Sequence, residues 1–275
     1  MATGRGTMAA TKPVRVGVSI RPQHGAYATM RQRWRDVEAL GADTLWTWDH
    51  FFPLSGEPDG LHYECWSLLA AMGEATARIS FGALVTCNSF RNPNLLADMA
   101  RTVDHISGGR LILAVGSGWV ERDYVEYGYD FKTARERLRD LEAALPMMTG
   151  RLHELNPAPV NGHIPLMIGG SGEKVTLRLV AQYADIWNGL WTGRSDPAEA
   201  RRLGRVLDDW CAKVGRDPAA IERSMMLRTP EQVAHADDYV AAGITHLIVG
   251  ASGPDWNLDQ LQTLIDWRDR RNAAG

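Results

Sequence analysis

The chain of 275 residues carries 30 Lys and Arg against 33 Asp and Glu, and 45% of it is hydrophobic. That length suits a single α/β barrel, with two smaller domains as the alternative, and the near balance of charge offers neither nucleic acid nor an anionic membrane surface a basic face. No apolar run is long enough to span a bilayer, and a small or neutral ligand remains open.

The leader MATGRGTMAATK lacks the apolar core of a signal peptide and is expected to be loose, with Met8 an alternative start and residues 13–275 forming one domain. Cys65, Cys87 and Cys211 are widely spaced, which suits reduced thiols in the cytoplasm and provides no metal-ligand cluster. A first strand is predicted over Val14–Ile20, with Arg21, Gln23 and His24 at its exit, and a helix over Tyr27–Leu40 stops at Gly41. The second strand, Asp43–Trp48, leaves through Asp49-His50-Phe51-Phe52-Pro53, and an irregular loop leads to a helix over Glu64–Thr76.

Ile79–Val85 is an apolar run of strand length that ends in Thr86, Cys87, Asn88 and Ser89. Asn92-Pro93 then caps a helix whose Leu95, Leu96, Met99, Val103 and Ile106 recur at helical spacing, and Gly108-Gly109 stop it. Arg110–Val115 is a second apolar run, which stops at Gly116-Ser117-Gly118-Trp119. Strand, helix and strand make a βαβ unit with parallel strands.

The segment ERDYVEYGYDF reads as polar and aromatic, Thr133–Met148 as an amphipathic helix, and Thr149–His163 as a connector. Pro165–Ile168 is a short strand opening into Gly169-Gly170-Ser171-Gly172 ahead of a helix over Val175–Tyr183. Strands over Asp185–Leu190, Ile221–Leu227 and Thr245–Val249 alternate with helices over Pro197–Val214, Pro230–Ala242 and Leu258–Arg270. Eight strand–helix pairs predict a (β/α)8 TIM barrel, with a doubly wound open sheet as the structural alternative.

Ligands of such folds collect where strands end, so the exits carry the candidate chemistry. His50 has an imidazole suited to proton transfer near neutral pH, and Asp49 beside it could contact a polar cofactor ring; the plainer reading is a turn cap and a histidine packed on Phe51. Gly169–Gly172 could offer backbone donors to an anion, although neither this cluster nor Gly116-x-Gly118 fits a nucleotide-binding fingerprint. Cys87 reads as a lining residue rather than a nucleophile. Trp119, Trp187 and Trp191 could floor an aromatic pocket or belong to the core, and the Arg-rich helices near Arg135, Arg201 and Arg268 read as solvated faces.

The stretches WTWDHFF, FGALVTCNSFRNP, TVDHISGGRLILAVGSGW, IPLMIGGSGEKVTLRLVAQYADIWNG and AAGITHLIVG, in this order, resemble the bacterial luciferase-like superfamily, in particular its F420-dependent oxidoreductases. The resemblance runs from Val14 to Val249. It implies a barrel that holds a deazaflavin, coenzyme F420, or alternatively FMN, at the C-terminal ends of its strands. It implies that Asp49 and His50 meet the pyrimidine side of the ring, with His50 handling the proton. A non-prolyl cis peptide is implied at Leu84-Val85, with Cys87 and Asn88 lining the same side. Gly116, Gly118 and Trp119 would form the fourth-strand wall, and Gly169, Gly170, Ser171 and Gly172 would bind the cofactor tail.

Trp119 stands where some members carry a catalytic glutamate, which weakens a sugar-phosphate dehydrogenase reading. The insertions before the fifth strand and before Thr229-Pro230 are shortened, which implies an open pocket. The expectation is an F420-dependent oxidoreductase that passes a hydride to or from a small organic substrate. An FMN-dependent monooxygenase, or a barrel that binds cofactor without catalysis, is the alternative. Relatives are mostly dimers, and Leu68, Leu69 and Met72 would be compatible with a homodimer face.

Overall fold

The computed structural model describes residues 13–189, 196–251 and 253–274. The leader, Met8, Leu190 and Trp191 lie outside them. The strands are β1 (Arg15–Ile20), β2 (Thr44–Thr47), β3 (Ser80–Ala83), β4 (Thr86–Cys87), β5 (Leu113–Gly116), β6 (Leu166–Gly169), β7 (Ile186–Gly189), β8 (Glu222–Leu227) and β9 (His246–Ala251). All pair in parallel, in the order β3-β2-β1-β9-β8-β7-β6-β5-β4.

Among the described residues nine strands make eight staves, because β3 and β4 are two halves of one. The run Ile79–Val85 does not continue as a single strand: the Leu84–Val85 peptide is cis and interrupts the ladder there. The lower half pairs with β2, and the upper half pairs with β5. A bridge from Phe81 to Leu111 closes the ring below the interruption.

The helices are α1 (Tyr27–Leu40), α2 (Cys65–Ala75), α3 (Pro93–Ser107), α4 (Glu121–Glu126), α5 (Ala134–Glu154), α6 (Thr176–Tyr183), α7 (Pro197–Val214), α8 (Pro230–Ala234), α9 (Ala236–Ala241) and α10 (Asp259–Ala274). Helix α4 stands where a polar aromatic segment is expected from the sequence. Helix α5 runs six residues past Met148, with Pro146 on its solvent face. A capping box between Thr133 and Glu136 starts it, and Arg151 near its end reaches Asp98 on α3 at 3.2 Å.

Strand alternation divides the side chains between two layers. Trp46, Leu84, Ile112, Ala114, Met167, Ile186 and Ile248 fill the barrel interior. Alternate residues, among them Val16, Val18, Leu45, Phe81, Leu113, Val115 and Ile168, pack outward under the helices. Leu68, Leu69 and Met72 belong to that outer layer and are buried, so they are not a face for a second copy. Arg268 is likewise buried, donating to Asp43 at 2.7 Å and to the Gly41 carbonyl at 3.0 Å rather than lying on a solvated face.

Candidate functional site

The strand exits bring most of the candidate residues to one end of the barrel. Gly116 and Gly169 occupy inward positions at the tops of β5 and β6, two residues beyond Ala114 and Met167. The Val85 side chain, lifted out of the ladder at the cis peptide, lies against both. A Cβ on Gly116 would stand 2.7 Å from a Val85 methyl, and one on Gly169 would stand 2.9 Å away. Only residues without a side chain allow this close approach. Leu84 points into the interior beneath.

Asp49 and His50 part company at the end of β2. Trp46 points inward and Leu45 outward, and the side chain of Asp49 ends up buried in a network of its own. Its oxygens accept from both terminal nitrogens of Arg91, at 2.6 and 2.9 Å, and from the Cys87 backbone N–H at 2.9 Å. Arg91 also donates to Glu64, whose carboxylate caps α2 through the Trp66 and Ser67 N–H groups. Burial lowers the guanidinium's affinity for its proton, but the Asp49 carboxylate outweighs it and raises the Arg91 pKa above the ordinary arginine value. Asp49 therefore fixes the segment that carries Cys87.

His50 turns to a partner absent from the sequence reading. Its Nδ1 lies 2.6 Å from Asp123 Oδ2 in α4, and the other Asp123 oxygen accepts the Phe51 N–H at 3.0 Å. A carboxylate accepts, so Nδ1 carries the hydrogen and Nε2 is the ring nitrogen left to exchange a proton. The imidazole stands edge-on between Trp48, at 5.7 Å, and Trp119, at 5.9 Å. Trp119 is 64% exposed and forms an open flank. The sequence pattern does not single out Asp123, because the segment that carries it reads as polar and aromatic rather than as helix α4.

Trp48 donates through Nε1 to His62 Nε2 at 3.2 Å. Burial, then the neighbouring His50, lowers the His62 pKa from 6.5 to about 4. The folded protein therefore resists a proton that the unfolded chain accepts, and stability is lost as pH falls from 6.5 towards about 4. Urea denaturation should show wild type losing more stability over that window than His62→Gln; equal losses would refute the role of His62.

Cys87 Sγ lies 3.2 Å from the Tyr124 hydroxyl. Burial pushes its pKa up to about 11, so it stays a thiol at neutral pH and is a poor nucleophile. Gly118, at φ +75°, leaves room for that contact, since a Cβ would stand 2.6 Å from the Cys87 sulfur. Asn88 begins a 3-10 turn, Asn88–Phe90, and lines a cavity of about 320 Å³ with Pro93, Tyr129, Lys132, Asp140 and Met147, beside α5.

Gly170 donates to the Asn188 carbonyl at 2.9 Å and accepts from Trp187 Nε1 at 2.8 Å. Trp187 is a core residue. Gly172 accepts from Leu177 N–H at 3.0 Å, so residues 169–172 lead through a turn at 173–175 into α6, with Ser171 between Gly170 and Gly172. The opposite rim is also tied down. Gln23 donates to Ser55 Oγ at 3.0 Å and accepts from Leu54 N–H at 2.9 Å, while His24 N–H bonds to Leu61 O at 2.8 Å.

A family model for luciferase-like monooxygenases matches residues 8–272. An uncharacterised protein of Mycobacterium tuberculosis is 27% identical over 215 residues, covering 73% of this chain and 73% of that protein. The F420-dependent glucose-6-phosphate dehydrogenase of Amycolatopsis mediterranei is 33% identical over 115 residues, covering 41% of this chain and 34% of that enzyme. In three dimensions the chain is similar to an F420-dependent secondary alcohol dehydrogenase in complex with an F420-acetone adduct, with a TM-score of 0.79, 17% identity and coverage of 94% and 98%. With the family model spanning nearly all of it and the fold matching, this chain belongs to the luciferase-like monooxygenase family.

Proposed function

We propose that the protein is an F420-dependent oxidoreductase that transfers a hydride between the deazaflavin and a small organic substrate. The observation that carries this reading is the shelf formed where the Val85 side chain crosses Gly116 and Gly169, at the same end of the barrel as an imidazole oriented by a buried carboxylate. A small aliphatic side chain backed by two glycines suits a flat ring system, and among the described residues no group of three or more His, Cys, Asp or Glu could hold a metal ion. Leu84, Val85, Gly116, Gly118 and Trp119 would hold the ring, and Gly169, Gly170, Ser171 and Gly172 would receive its anionic tail.

Bound there, the cofactor supplies the hydride chemistry. His50 Nε2 exchanges the substrate's proton, and Asp123 keeps the hydrogen on Nδ1. Asp49 acts at one remove, holding the Cys87 segment through Arg91. Asn88 follows Cys87 directly and lines the cavity beside α5.

The family's monooxygenase members keep an FMN-dependent monooxygenase as the second reading. Separate titrations of the purified protein with F420 and with FMN distinguish the two. The expected result is saturable binding of F420 at least about tenfold tighter than FMN, a difference of about 1.4 kcal/mol. The opposite preference would overturn the proposal.

A further inference from the structure

Two imidazoles at the mouth share one indole and present opposite chemistry. Trp48 stands two residues beyond the inward-pointing Trp46, at the exit of β2, and His50 lies against it with ring centroids 5.7 Å apart. Trp48 Nε1 in turn donates to His62 Nε2 at 3.2 Å. An indole N–H can only donate, so Nε2 of His62 is an acceptor and the hydrogen of that ring sits on Nδ1. Burial, with the neighbouring His50, lowers the His62 pKa to about 4 and keeps the ring neutral. His50 is the opposite case: the Asp123 carboxylate holds its hydrogen on Nδ1 and leaves Nε2 as the acceptor.

The backbone fixes where His62 stands. It forms an antiparallel bridge with Gln23 at the exit of β1, between the bond from His24 N–H to the Leu61 carbonyl and the bond from Tyr63 N–H to the Pro22 carbonyl. Its Nδ1 has no hydrogen-bond partner among the described residues, and the atom is open to solvent rather than sealed in the core. A donor held in a fixed frame and left unused by the protein is free for a guest. In a ring of eight staves β1 is opposite β6, so the bridge that carries His62 lies across the mouth from Gly169 of the shelf. Trp48 and Trp119 flank His50, while the carboxylates of Asp49 and Asp123 are already engaged. An uncharged molecule with two oxygen functions fits this set: one oxygen exchanges its proton with His50, and the other only accepts.

We propose that His62 is a specificity residue whose Nδ1–H donates to a second acceptor oxygen of the substrate, so that the site favours uncharged carbonyl compounds or alcohols carrying such an oxygen near the reacting one. Binding through His62 needs no coenzyme; only its bearing on hydride transfer rests on the oxidoreductase reading above.

The test uses the full chain with nitrogen-labelled histidine and follows the ring nitrogens by NMR, without added coenzyme. Wild type at neutral pH should show His62 with its hydrogen on Nδ1; a hydrogen on Nε2, or a protonated ring, would overturn the proposal. The probes are methyl phenyl ketone and methoxymethyl phenyl ketone, the second of which adds one acceptor oxygen and no donor. The methoxy ketone should shift His62 Nδ1 saturably and bind about fivefold more tightly than the plain ketone, the scale of one neutral hydrogen bond. His62→Gln, whose amide oxygen can still accept from Trp48, loses the donor and should bind both ketones alike. Equal affinities in wild type, or a preference retained in His62→Gln, would overturn the proposal. Titration of His62→Gln with F420 identifies the partner: unchanged coenzyme affinity supports a substrate contact, while a loss of about tenfold would assign His62 to the coenzyme and overturn it. If wild type prefers the methoxy ketone but binds no F420, the oxidoreductase reading fails and the His62 subsite stands.

Discussion

Replacing His50 with alanine is expected to lower turnover by about 10²- to 10⁴-fold, the usual range for removing a general acid or base, while leaving F420 affinity within about threefold of wild type. The expectation follows from the division of labour at the mouth. The shelf of Val85, Gly116 and Gly169 contains no atom of His50, so on the proposed function coenzyme capture would not depend on the imidazole, whereas proton exchange would. Asp123→Asn is the informative companion: the amide can donate to Nδ1, which favours the wrong tautomer and moves the hydrogen to Nε2. That variant should lose activity and change the pH profile while retaining its coenzyme affinity. Turnover unchanged in His50→Ala would remove this residue from the mechanism.

The second large effect falls on stability. Asp49→Ala should cost about 3–5 kcal/mol, because it leaves the Arg91 guanidinium without its buried partner. It also removes the acceptor for the Cys87 N–H and weakens the link to Glu64 at the start of α2. Urea denaturation monitored by tryptophan fluorescence measures the loss. Asp49→Asn, which keeps one acceptor oxygen, should fall between wild type and alanine. A cost of about 1 kcal/mol or less for Asp49→Ala would place the pair with surface salt bridges and refute the argument.

Much of the barrel was legible because its signals are local. Apolar runs of strand length, glycine stops and capped helices recur in order, and each is set by a few neighbouring residues. The interruption at Leu84-Val85 was not readable from periodicity, since Ile79–Val85 is apolar throughout; the family resemblance located it. Adjacency misled at Asp49 and His50, which are consecutive in sequence but serve separate networks, one around Arg91 and one around Asp123. Helix α5 outran its expected end because Pro146 and Gly150 are exposed while Ala144, Leu145 and Met148 remain packed. Leu68, Leu69 and Met72 showed that an apolar helix face says it is covered, not by what.

The loop from Pro53 to Tyr63 has a consequence for ligand capture. Gln23 and His24 hold it at Leu54, Ser55 and Leu61, and Tyr63 N–H bonds to the Pro22 carbonyl at 3.0 Å. Backbone tied at these points has little conformational entropy to lose on binding. Recognition along this side of the mouth is therefore expected to be lock-like, with affinity set by the contacts themselves rather than by the folding of a flap.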